Sequence, residues 1–155
     1  MTAELVGQGA LLALQGAQVA ILWLHDWLPA PPLNDVAAVR RETTTRGLLV
    51  TTAVQSVPYT IGLVFSALSL GHAYPGWLSW WLWISYGVLL LGELRAWWVP
   101  YLVRPEPARA ARYAAMFGRT HAFLPQRNGV TPNTLHTVLH ACTAATLVVL
   151  LLTRA

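Results

Sequence analysis

The sequence predicts an all-α integral membrane protein: a four-helix up-down bundle with short interfacial helices in its two longer connections. Three observations predict it. Four apolar runs, at about residues 6–28, 48–70, 77–99 and 133–152, each match the roughly 20 residues needed to cross a bilayer. Nearly all the arginines fall in two alternate connections between those runs. Tryptophans gather at the ends of the runs, where amphipathic rings settle at membrane–water interfaces. Composition agrees: 55% of the 155 residues are apolar and 10% are charged, against roughly 25% charged in soluble domains. Four spans and their connections use the whole chain, so residues 1–155 read as a single transmembrane domain.

The first run stops at Pro29, Pro31 and Pro32, and without a basic leading segment it does not read as a cleaved signal peptide. The connection after it carries Arg40, Arg41 and Arg46, on a short interfacial helix expected to be capped by Asn34. The second run, Leu48 to Leu70, is followed by the brief, arginine-free connection Gly71 to Gly76. The third, Trp77 to Val99, is expected to end at Pro100, because proline cannot donate within a helix and crowds the preceding turn. Arg95 lies at its edge, and Arg104, Arg109, Arg112, Arg119 and Arg127 lie in the long connection beyond. There Pro107 to Phe117 reads as a helix, with Pro107 in its first turn, Gly118 as its stop and Glu106 at the positive end of its dipole. Its Arg109 and Arg112, like Arg95, are expected to reach lipid phosphates. Asn128-Gly129 marks a turn, and Thr131-Pro132 reads as the cap and first turn of the fourth run.

Positive residues stay on the cytosolic side because moving them across is unfavourable. Every arginine but Arg154 then lies on one side of an up-down bundle. The expected placement is the cytoplasmic membrane, both termini outside and both long connections cytosolic. The formal net charge of +4 is thereby a matter of orientation and gives no reason to expect nucleic acid. There is no lysine, which excludes Schiff-base lysine chemistry; an all-arginine basic set points to a GC-rich, bacterial genome. The lone Cys142 allows neither an intrachain disulfide nor a thiolate cluster. No P-loop, glycine-rich nucleotide pattern or serine-hydrolase elbow is present.

Each run carries a polar stripe when advanced by ~100° per residue. The stripes are Gln8, Gln15, Gln18, His25 and Asp26; Thr51, Thr52, Gln55, Tyr59, Ser66 and Ser69; Ser79, Tyr86, Glu93 and Trp97; and Asn133, His136, Thr137, His140 and Thr143. Polar groups lack partners in lipid, so the stripes are expected to meet inside. The neutral ones serve as interhelical glue, while Gln55, Tyr59 and Asn133 are placed to touch a ligand or cofactor. His25, Asp26, Glu93, His136 and His140 fall at a common depth near the cytosolic face, and such costly residues mark function. His121, in the long connection, reads as solvated.

That cluster fits several chemistries. His136 and His140 share a helix face at i and i+4 and, with Glu93 and His25, match a histidine–carboxylate shell for zinc, iron or copper. Haem is a further reading, with one of the two and His25 as axial ligands. Without metal, Glu93, His136, His140 and Asp26 form an acid–base set for isomerisation, cyclisation or hydrolysis of a lipophilic small molecule. A small transporter or an assembly subunit, with the same residues as a proton-coupling or structural pair, is the non-enzymatic alternative. Membrane lipids and further copies of the chain are the other expected partners.

Overall fold

In a computed structural model, which describes residues 3–153, the chain is helical, and among those residues no β-strand occurs. The helices are α1 (Ala3–Leu24), α2 (Val36–Glu42), α3 (Thr45–Leu68), α4 (Gly76–Glu93), α5 (Val99–Leu102), α6 (Pro107–Phe117) and α7 (Thr134–Thr153). A wider turn, Leu94–Trp98, joins α4 to α5. Glu4–Leu24, Thr45–Leu68 and Thr134–Thr153 are long and apolar enough to cross a membrane, and the chain is a membrane protein on that ground. The expected fourth span is not among them. In α4 the indoles of Trp77, Trp80, Trp81 and Trp83, with Glu93 at its end, dilute the aliphatic content.

The four long helices nevertheless pack as a ring: α1 against α3 and α7, and α4 against α3 and α7. Between membrane helices such packing rests on close contact and hydrogen bonds. Gly62 permits one such approach, since a Cβ there would stand 2.9 Å from Leu82 Cδ2. Trp23 and Trp27 donate to Thr60 and Thr52, stitching α1 to α3. At the end carrying the 71–76 connection, the fully buried Leu11, Leu78, Leu82 and Leu150 fill the axis. Towards the other end it turns polar, with Gln15, Gln18, Thr143 and Thr146 also fully buried.

Helix ends differ from the sequence expectation, each for a local reason. α1 stops at Leu24, and the amide of Asn34 folds back to donate to the carbonyls of His25 (2.6 Å) and Leu28 (2.8 Å). Asn34 therefore closes α1 rather than opening α2. Asp35 is the cap of α2, accepting from the Ala38 amide at 2.9 Å. α7 is opened by Asn133, not by Thr131-Pro132: its Oδ1 accepts from the His136 amide at 2.9 Å. α6 spans the expected residues, and Asn128 and Gly129, both at positive φ, make the expected turn between Arg127 and Val130.

Pro100 does not end the third long helix. It has no N–H for the Ala96 carbonyl, four residues back, and the helix widens instead, the Val99 amide reaching the Leu94 carbonyl. Such wide turns recur at functional sites. The Ala96 carbonyl accepts from the Tyr113 hydroxyl (3.2 Å) and the Arg109 guanidinium (3.3 Å), both on α6. Arg109 also pairs with Glu106 at 2.8 Å, as Arg95 does at 2.7 Å, so neither is the free lipid-facing cation the sequence led us to expect. α6 is thus folded across one end of the bundle, against α2, with Met116 buried against Val39 and Leu48.

Candidate functional site

Beneath α6 lies a chamber of about 230 Å³ whose wall includes Leu22, His25, Gln55, Glu93, Trp97, His136 and His140. His25, Gln55, Ala96, Trp97 and His136 also face a vestibule of about 260 Å³, walled further by Asp26, Arg112, Tyr113 and Phe117. Glu93, His136, His140, His25 and Asp26, from two long helices (α4 and α7) and the end of α1, are therefore brought to two adjoining spaces. Gln55 lines both. Tyr59 lines neither: its hydroxyl donates to the Ser85 carbonyl at 3.2 Å and its ring meets Tyr86. Asn133, fully engaged as a cap, stands behind His136 rather than in the wall. Arg112, exposed, lines the vestibule.

Hydrogen bonds fix which nitrogen of each imidazole carries the proton. Asn133 Oδ1 already accepts from the His136 amide, so it must be the oxygen, and His136 Nδ1, 2.7 Å away, must donate to it. The lone pair of neutral His136 is left on Nε2. At His140 the sense is reversed. The Trp98 indole can only donate, and it meets His140 Nδ1 at 3.1 Å, so neutral His140 carries its proton on Nε2. His25 Nδ1 lies 2.8 Å from the Ile21 carbonyl and must donate, while Nε2 faces Asp26 Oδ2 at 3.3 Å. The two side chains form an ion pair when His25 is protonated on both nitrogens.

Glu93 is buried, and Oε1 accepts from the Thr143 hydroxyl at 2.8 Å. Thr143 in turn accepts from the Gln18 amide at 2.6 Å. Glu93 Oε2 has no hydrogen-bond partner among the described residues. A buried polar atom left so costs about 1–3 kcal/mol and is commonly a place where a ligand group is met.

Aromatic rings cover these groups. The Trp97 ring lies 4.5 Å from His136 on one side and stacks at 4.3 Å on Tyr113 of α6 on the other. Phe117 closes on His136 at 4.9 Å. Outside the membrane-spanning segments, two carboxylates hold α6 and the loop after it. Hydrogen bonding to Arg109 and then Arg95 keeps Glu106 below the usual carboxylate range. The Ala38 amide and then Arg119, 2.7 Å away, do the same for Asp35. His121 is exposed, as expected, and its Nδ1 also lies 2.7 Å from Thr134 Oγ1, anchoring the loop on α7.

The sequence reading missed Trp98 and Thr143 as partners of the ionisable groups. Their spacing from His140 and Glu93 along the chain offered no signal, for both contacts are between helices. Among the described residues no three His, Cys, Asp or Glu side chains form a group able to hold a metal ion. The rings of His25 and His136 touch edge to face at 5.7 Å. Compared with protein-family models, curated proteins and solved structures, the chain matches none.

Proposed function

We propose that the protein is a four-span membrane enzyme that runs metal-free acid–base chemistry on a lipophilic substrate, in a chamber on the cytosolic side. One observation carries the reading: two neighbouring imidazoles, ring centroids 6.2 Å apart, are held in opposite tautomers. His136 Nε2 can take a proton and His140 Nε2–H can return one. Isomerisation or cyclisation needs such a pair, and positioned acid–base groups contribute about 10²–10⁴-fold. Glu93 supplies a third proton site whose free oxygen awaits a substrate group.

The membrane placement is supported by the continuous helical run from Gly76 to Leu102, and a cytosolic α6 end by the arginines on α2, α6 and their flanks. The opposite end is filled largely by leucines, with Gln8 and Ser66 also buried there, and this favours an enzyme over a transporter, which needs polar groups along its whole path.

The test incubates protein in lipid nanodiscs with a bacterial lipid extract in D2O, following mass shifts by mass spectrometry. The expected result is deuterium uptake or conversion of one lipid component, lost at least 100-fold in His136→Gln, His140→Gln and Glu93→Gln and unchanged by chelators. Full activity in all three variants overturns the reading. Activity that needs a stoichiometric metal returns weight to metal chemistry.

A further inference from the structure

We infer that the chamber takes its ligand sideways from the bilayer, through a slit between α3 and α4, and that this ligand is a single-chain amphiphile with an anionic head group. The inference names the substrate class of the proposed enzyme and rests on that reading for the chemistry after binding.

The slit follows from where α3 and α4 part. From Pro58 outward they are joined, by Trp81 to the Pro58 carbonyl, by Tyr59 to the Ser85 carbonyl, and by Phe65 against Trp77. Below Pro58, among the described residues, no hydrogen bond or ring contact links α3 to residues 89–98. Gln55 and Gly92 are exposed there and yet line the chamber. A Cβ added at Gly92 meets nothing within 4 Å, so the rim is open at that point. The surrounding surface, with Val54 and Leu91 outermost, is apolar. A slit so placed is reached from lipid rather than from water.

The ligand's character follows from the two spaces it joins. At about 230 Å³ the chamber lies just below the roughly 300–1,000 Å³ of small-molecule sites, room for one chain and not two. Leu22, Leu89 and Leu139 line it between the polar groups. In the vestibule Asp26 is engaged with His25 at 3.3 Å, whereas Arg112 has neither ion pair nor hydrogen bond among the described residues. An unpaired guanidinium at membrane-surface depth selects a carboxylate or phosphate head.

The experiment labels the protein in nanodiscs with a fatty acid bearing a photoreactive diazirine on its chain and maps the adducts. Oleate, 1-oleoyl-lysophosphatidate, mono-oleoylglycerol and inorganic phosphate serve as competitors. Adducts are expected on Gln55 and on residues 89–97, with either acidic amphiphile competing at least tenfold better than mono-oleoylglycerol. Whichever acid competes better identifies the head as carboxylate or phosphate. Arg112→Gln, an exposed change, should erase that preference. Gly92→Phe should cut chamber labelling at least tenfold at an unchanged melting temperature. Adducts confined to Val54 and Leu91, equal competition by the neutral lipid, displacement by inorganic phosphate alone, or an Arg112→Gln variant that keeps the preference each overturn the inference. Labelling is read without turnover. Bound acidic chains that are never converted keep this inference and overturn the enzyme reading, whereas turnover indifferent to Gly92→Phe in folded protein does the reverse.

Discussion

The indole N–H of Trp98 donates to Nδ1 of His140 across 3.1 Å. The tryptophan belongs to the widened turn after α4 and the histidine to α7, so the register of one helix dictates the proton position on another. Trp98→Phe keeps the ring and removes the donor. Nitrogen NMR of labelled histidine should then show His140 shifting from a single Nε2–H form to a mixture of tautomers. A net loss of about 1 kcal/mol for the hydrogen bond corresponds to roughly a fivefold change in that ratio. An unaltered His140 spectrum would show that the indole does not set the tautomer.

Asn133 has two duties that substitutions can separate. Asn133→Ala should cost about 1 kcal/mol through loss of the α7 cap, read as a lower melting temperature in detergent. Asn133→Ser should restore most of that stability, since a hydroxyl also caps. It is too short to reach the His136 ring, so turnover should stay depressed while the fold recovers. Equal recovery of both would reduce Asn133 to a cap alone.

Pro100 governs how α6 docks. Pro100→Ala supplies an N–H that competes for the Ala96 carbonyl, and it should loosen the Tyr113 and Arg109 contacts made there. Hydrogen exchange across Pro107–Phe117 should quicken, and Tyr113→Phe should reproduce part of the effect, about 1 kcal/mol. The long spans should keep their protection in both variants.

The anchoring of α6 should depend on pH in one direction only. Glu106 and Asp35 titrate below their ordinary values of 4.5 and 3.8, held there by Arg109 and by the Ala38 amide respectively. A carboxylate whose folded value is depressed stabilises the fold fully above its unfolded value and loses that contribution as pH falls through the folded one. Proteolysis at residues 103–120 should therefore be constant above roughly pH 5 and rise below pH 4. Glu106→Gln should cleave faster at neutral pH and show less of that rise.

Glu93 offers a test of function against framework. In Glu93→Gln the amide oxygen can still accept from Thr143, so stability should hold to within about 1 kcal/mol even as activity disappears. A collapse in melting temperature would assign Glu93 to holding the bundle together.

Much of this arrangement was legible in the residues, because period and punctuation are local signals. Pro107 and Gly118 bounded α6, Asn128-Gly129 marked its turn, and the stripes on α1 and α7 placed Gln15, Gln18 and Thr143 inside. What escaped depends on partners remote in the chain. Leu94 to Trp98 reads as ordinary helix; its widening is tied to Pro100 together with two α6 side chains that take up the freed carbonyl. Asn34 and Asp35 are both good caps, and only the fold-back onto His25 decides between them. Tyr59 sits on the polar stripe of α3, yet the Ser85 carbonyl claims its hydroxyl before any ligand can. The tryptophans that marked α4 as interfacial also kept it from standing out as a span by composition.

α1 packs against α7, and α1, α3 and α4 all leave the ribosome before it. Chains are built from the N-terminus at about 5–20 residues per second, so Gln18 and Glu93 reach the lipid seconds before Thr143 arrives to join them. Throughout that interval a carboxyl and an amide stand without their shared hydroxyl, and neither imidazole of α7 yet exists. Biogenesis therefore has a vulnerable step, and a stalled or truncated chain lacking α7 would present the insertion and quality-control machinery with an open, polar-lined half-bundle.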